Sequence, residues 1–221
     1  MWAPRTLAIT HQPRLGGRGP DDEQRQVVRY VAALAGAGVD AIQVREREWP
    51  DGRLVSLARE AVVAVRGTAC RLLLNERAHV ALAAQAHGVH LRGAGVSALR
   101  LRPVVPADWV IGRSVHASDG AGIAEGADYA LFGTVWASGS KPMGAPVAGV
   151  DGLSAWVASA CVPVVAVGGV TLARCATARA AGASGMAGID VFVEAWRDGT
   201  DALERLVREV HAVFQDVERA E

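Results

Sequence analysis

The chain has 221 residues, 51% hydrophobic and 21% charged, enough for one globular domain, 1–221, with a sizeable core. A net charge of +0, a pI near 7.0 and only 5% aromatic residues give no footprint for nucleic acid and no platform for stacking bases. No basic run followed by an apolar one opens the chain and no apolar stretch is long enough for a bilayer, so no membrane contact is expected; three scattered cysteines, Cys70, Cys161 and Cys175, lead to the expectation of a reducing cytoplasm.

Residues 6–10 (TLAIT) read as a first short strand. His11 to Pro20 is rich in Gly, Pro and Arg and reads as a loop. Asp21 and Asp22 are candidate caps for a helix through Val27, Val31 and Leu34 to Gly36, with Gly38 as its stop. Asp40 to Val44 is a second strand ending in Arg45-Glu46-Arg47, and an apolar stripe from Leu54 to Val65 marks the next helix. Strands follow at Arg71–Leu74, Gly88–Leu91, Trp109–Gly112 and Asp128–Phe132, with helical segments at Ala78–Ala84 and Asp119–Ala124 between them. The segment from Thr134 to Ala148 exceeds a plain connection and reads as a functional loop. It carries Ser138, Ser140 and Lys141, the only lysine in the chain. Val150–Ser159 is helical.

The run Val164-Val165-Ala166-Val167 is a seventh strand, buried on both faces, that stops at Gly168-Gly169 before a helix from Leu172. Two glycines there allow a backbone to approach an anion, or simply a tight strand-to-helix turn. Gly185–Ile189 is the eighth strand, and Ala202–Phe214 an amphipathic closing helix. Alternation of strand and helix about eight times predicts a (β/α)₈ TIM barrel of class α/β. No Gly-x-Gly-x-x-Gly follows the first strand, as a doubly wound nucleotide fold would require.

Barrel active sites lie where the strands end, and the polar residues fall there. Gln43, Arg45 and Arg47 recur at period two and share a face if the second strand continues through them, so the two guanidiniums can clamp a phosphate or carboxylate; salt bridging to Glu46 and Glu48 is the alternative. Asn75 and Glu76 end the third strand, as ligand groups or as a helix cap. His90 is expected to be a hydrogen-bonded core residue, whereas Ser114 and His116 suit anion binding or proton transfer. The histidines and cysteines show no metal spacing.

Together these strand ends resemble the thiamine phosphate synthase family and its sister, the thiazole tautomerase family. The anchors are Gln43 to Arg47, Asn75-Glu76-Arg77, Gly88 to Leu91, Ile111 to His116, Ala127 to Gly133, Lys141, Pro163 to Gly169 and Ala181 to Gly185. The resemblance implies a (β/α)₈ barrel acting on a small-molecule thiazole phosphate or a related ligand, and leaves a homo-oligomer open. For the synthase it implies joining a pyrimidine diphosphate to a thiazole phosphate, with Arg45, Arg47 and Lys141 on the diphosphate and Mg²⁺ held by carboxylates. Here Glu76 replaces one metal aspartate and Arg92-Gly93-Ala94-Gly95 contains no acid, so no metal site and no cofactor are expected.

The tautomerase, a metal-independent proton-transfer enzyme with the same Arg-Glu-Arg and Ile-Gly-Arg-Ser-Val-His runs, is the closer match. Its histidine after the sixth strand is Thr134 here, which leaves His116 and Lys141 as the catalytic candidates. Gln43, Arg45, Arg47, Asn75, Ser114 and Thr134 are the expected substrate contacts, and Gly168 and Gly169 the expected phosphate contacts. Asp190 stands near the family's phosphate serine and opposes a phosphate unless a cation intervenes. A synthase with a weakened metal site and a non-catalytic relative on the same barrel are the other readings.

Overall fold

The computed structural model describes residues 2–138, 144 and 146–215. Its eight strands are β1 (Thr6–Ile9), β2 (Ala41–Val44), β3 (Arg71–Asn75), β4 (Gly88–Leu91), β5 (Val110–Val115), β6 (Tyr129–Phe132), β7 (Val164–Val167) and β8 (Gly185–Gly188). They pair in parallel in chain order and close through β1 and β8, with Leu7 opposite Ala187. The expected (β/α)₈ barrel is therefore present.

Every strand is buried along most of its length, because one face lines the barrel interior and the other meets helices. The alternation sorts the side chains. Leu7, Leu73, Val110, Leu131 and Val165 point inward and pack as an interior cluster. Residues one position away, such as Ala8, Leu72, Leu74 and Ala166, join the larger core under the helices. The longer helices α2 (Pro20–Gly36), α3 (Asp51–Ala64) and α9 (Thr200–Phe214) bury one stripe each. In α9 that stripe is Leu203, Leu206, Val207, Val210 and Phe214, at helical spacing. Shorter helices α4 (Ala78–Ala84), α5 (Ala98–Leu101), α6 (Gly149–Ser159) and α7 (Leu172–Ala180) complete most of the outer ring. No helix among the described residues is long and apolar enough to cross a membrane.

Four details differ from the sequence reading. The loop after β1 contains a short helix, α1 (Gln12–Leu15), started by Pro13 in a segment too short to show periodicity. An eight-residue helix, α8 (Asp190–Arg197), follows β8 and buries Phe192 and Val193. Strand β5 runs to Val115, so Arg113 and Ser114 lie within it rather than beyond it. Helix α2 is opened by Gly19 and Pro20; Asp21 and Asp22 lie in its first turn, where their charge favours the dipole, and do not cap it.

The N-terminal face of the barrel is tied by one carboxylate. Asp40 Oδ2 accepts from the Thr6 backbone N–H and hydroxyl, each at 2.9 Å, and lies 3.0 Å from His211 Nε2 of α9. Thr6 Oγ1 in turn accepts the Asp40 N–H at 2.9 Å. Burial pushes the Asp40 carboxyl up, but the bonds from His211 and Thr6 outweigh it and hold the group below its ordinary value. A depressed carboxylate contributes stability above its unfolded pKa of about 3.9 and loses it as pH falls through the folded value. Asp40→Ala is expected to lower the unfolding free energy by about 1–3 kcal/mol at pH 7. Urea melts at pH 7 and pH 3 check this, the deficit narrowing at the lower pH.

Candidate active site

The C-terminal ends of the strands surround a mouth of two adjoining cavities, roughly 590 Å³ and 640 Å³, which share Ile9, Arg45, Arg47, Ser114, His116 and Leu131. Ile9 and Leu131 come from the strand face that fills the interior, so the apolar floor of the mouth continues the barrel core.

Gln43, Asn75 and Ser114 occupy the next inward layer and all line the first cavity. Gln43 is buried, and its Nε2 donates to Asn75 Oδ1 at 2.8 Å. Its Oε1 is buried with no partner, an acceptor that a ligand N–H would satisfy. Asn75 thus faces the cavity, whereas Arg77 precedes α4 at the cap position, which overturns the helix-cap alternative for Asn75. Arg45 and Arg47 line both cavities from the loop beyond β2, which ends at Val44, so the loop and not a strand alternation brings them there. Burial, with Arg47 close by, pulls the Arg45 guanidinium below its ordinary value, though a guanidinium remains charged.

Glu46, between them, points away. It is buried, accepting from Thr10 Oγ1 at 2.6 Å and from the Gln12 backbone N–H at 2.9 Å, so it anchors the loop after β1 and is not a surface partner of the arginines. Arg77 holds the arginine loop from the other side, donating to the Trp49 and Arg47 carbonyls at 2.6 and 2.8 Å. Arg113 donates to the Gly93 and Val96 carbonyls, both at 2.7 Å, and so shapes the loop after β4.

A polar chain rises through the interior to Ser114. Tyr129 Oη lies 3.0 Å from His90 Nδ1, and His90 Nε2 lies 2.8 Å from Ser114 Oγ. Gly112 makes this possible, since a Cβ there would sit 2.4 Å from Tyr129 Oη and 2.5 Å from His90 Nδ1. His90 is therefore the bonded core residue that was expected. Burial, and the charges of Arg113 and Arg45, push its imidazole down to about 3, so it is neutral. A neutral ring donates from one nitrogen. Tyr129 has no other acceptor among the described residues, so its hydroxyl donates to Nδ1 and Nε2–H donates to Ser114. The Ser114 hydroxyl proton is left to donate into the cavity.

His116 follows on the rim, exposed, with its backbone N–H donating to Asp119 Oδ2 at 2.8 Å and its ring Nδ1 3.2 Å from the same oxygen. A carboxylate oriented on a cavity-lining imidazole suits proton transfer. Thr134 is buried and lines the second cavity with Ser138. Lys141 and Ser140 lie outside the described residues.

The structure gives the glycine pair a packing role. Gly168 and Gly169 have φ of +94° and +60°. A Cβ on Gly168 would be 2.4 Å from Thr134 Cγ2, and one on Gly169 would be 2.3 Å from the Ala137 carbonyl oxygen. The loop after β6 lies directly on β7, with the Val135 N–H on the Val167 carbonyl and the Trp136 N–H on the Gly168 carbonyl, both at 3.0 Å. The pair thus admits this loop, and Gly168 also lines the second cavity while Gly169 does not.

A metal held by two carboxylates does not fit the residues present. Glu76, with φ of +59°, is committed to Arg92, whose Nε lies 2.5 Å from its Oε2. Asp119 is engaged by His116. Among the described residues no group of three or more His, Cys, Asp or Glu could hold a metal ion.

Residues 18–192 match the family model described as thiamine monophosphate synthase. The chain is 38% identical over 207 residues to the thiamine-phosphate synthase of Moorella thermoacetica, covering 92% of this chain and 94% of that one. It is 37% identical over 166 residues to the thiamine-phosphate synthase of Methanoculleus marisnigri, covering 74% and 79%. Among solved structures it is similar to a thiamine phosphate pyrophosphorylase from Pyrococcus furiosus, with a TM-score of 0.74, 28% identity and coverage of 93% and 96%. Similarity to a tryptophan synthase of Mycobacterium tuberculosis, with a TM-score of 0.61, 16% identity and coverage of 95% and 91%, concerns the fold alone.

A buried imidazole that is neutral when folded and titrates near 6.5 when unfolded contributes stability that is full above about 6.5 and is lost progressively as pH falls toward the folded value of about 3. Histidine ¹⁵N spectra at pH 5 are expected to show the His90 ring neutral; a protonated ring at that pH would contradict the buried chain. In denaturant melts His90→Gln flattens the pH dependence of stability between pH 4 and 6.5.

Proposed function

Because the chain belongs to the thiamine monophosphate synthase family, we propose that it is a thiamine-phosphate-synthase-type transferase. It joins a pyrimidine diphosphate to a thiazole phosphate at the barrel mouth. The names of its relatives support this order of readings over the tautomerase that the strand-end motifs alone favour. The observation that carries the proposal is the convergence of Arg45 and Arg47 with Gln43, Asn75 and Ser114 on one cavity.

Expelling diphosphate concentrates negative charge on the leaving group, and fixed guanidiniums in a partly buried site stabilise it. Arg45 and Arg47 supply that charge, with Lys141 assigned to the same role from the motif. The orphaned Gln43 Oε1 takes a ring amino group, and the Ser114 hydroxyl donates to a ring acceptor.

One observation favours a second reading. The His116–Asp119 pair suits metal-independent proton transfer on a thiazole carboxylate phosphate. Thiamine phosphate formation from the two precursors, followed by chromatography in Mg²⁺ and in EDTA, tests the first reading. Proton NMR of thiazole tautomer interconversion tests the second.

Arg45→Ala is expected to raise KM for the diphosphate about 10- to 100-fold, as loss of a charge-assisted contact does. His116→Asn separates the readings. It lowers tautomer interconversion by about 10²–10⁴ if His116 carries the proton, and leaves condensation within a few-fold. Product formation in neither assay removes the enzymatic reading and leaves the non-catalytic relative.

A further inference from the structure

Asp190, the first residue of α8, faces the second cavity where a carboxylate would oppose a phosphate. The structure supplies a cation beside it. Arg14, from the short helix α1, places its Nε 3.2 Å from Asp190 Oδ1, and both side chains are part-exposed on the cavity wall. Apart from that ion pair, the Arg14 guanidinium makes no hydrogen bond to another described residue, so its remaining N–H groups are available to a ligand.

The backbone beneath Arg14 is fixed at both ends. Arg197, at the end of α8, donates to the Arg14 carbonyl at 2.6 Å, and the Arg14 backbone N–H donates to the His11 carbonyl at 2.8 Å. Two residues earlier, the Gln12 N–H is held by buried Glu46. The guanidinium is therefore carried on a tethered turn. Among the described residues, Arg14, Arg45 and Arg47 together set three guanidiniums against the one carboxylate lining this cavity.

We infer that Arg14 is a phosphate-recognition residue of the mouth, and that Asp190 is its positioning residue. On the proposed function, whose thiazole phosphate this assigns to the Arg14 side, the pair selects a phosphate-bearing ligand over the corresponding alcohol. Asp190 holds one edge of the guanidinium, and the free edge meets the phosphate oxygens with two parallel N–H donors. The carboxylate then acts on the phosphate through the cation, and its repulsion is screened by the charge it holds.

The test is calorimetric titration of the full chain with inorganic phosphate, with the thiazole phosphate and with the unphosphorylated thiazole alcohol. The wild type is expected to bind the phosphate ester at least about tenfold more tightly than the alcohol. Arg14→Ala removes that preference and leaves alcohol binding unchanged, and Arg14→Lys restores part of it. Asp190→Ala weakens the phosphate ester, since the guanidinium loses its support; tighter binding in Asp190→Ala would overturn the positioning role. Equal phosphate affinity in wild type and Arg14→Ala, with matched thermal melts, would overturn the inference. Wild-type binding of inorganic phosphate that Arg14→Ala abolishes, without binding of either thiazole, upholds the phosphate site and removes the thiazole reading of function.

Discussion

Closure of eight parallel strands into a ring governs everything else in this molecule. Parallel pairing sends all C-terminal strand ends to one face, and closure through β1 and β8 leaves no strand edge to satisfy elsewhere. Groups far apart in sequence, from Arg14 to Asp190, meet around one mouth for that reason. The two-residue period of a strand then decides their roles. Inward positions carry Leu and Val low in the barrel and Gln43, Asn75 and Ser114 near the mouth; outward positions carry the residues that hold the helices.

Much of the polar structure around the mouth positions other groups and does not itself face a ligand. Glu46, Arg77 and Arg113 each make a partly buried bond to loop backbone, and each fixes a neighbouring strand end. The interior chain from Tyr129 through His90 does the same for one hydroxyl. Leaving a buried group of this kind unpaired costs more than the bond contributes when made, so the loops have little freedom to drift. The exposed groups, Arg47 and His116, sit on that fixed frame.

The fold was legible because its signals are local. Short β-branched runs ended by polar or glycine-rich turns mark strands, and the stripe in α9 marks a helix. The clustering of Gln43, Arg45 and Arg47 at one strand end was legible too, although β2 stops at Val44 and a strand period does not extend to the arginines. What stayed hidden depends on residues distant in sequence. That Glu46 turns away to Thr10 and Gln12, that Glu76 pairs with Arg92 and that Arg14 answers Asp190 are facts of barrel closure, which no local pattern encodes. Helices α1 and α8 were too short for a period to emerge. The glycine pair was visible as a place of close backbone approach, but a ligand and a crossing loop make the same demand on a sequence.

The contact of that pair with Thr134 and Ala137 has an evolutionary reading. Two segments more than thirty positions apart share one steric slot, so neither can change alone. A side chain larger than hydrogen at 168 is admissible only in a lineage where the segment starting at 134 has already receded. Such a retreat would reopen the wall that the loop now lends to the mouth. Drift at these sites should therefore proceed by paired replacement, and barrels that keep both glycines should also keep the bulk of the loop packed on them.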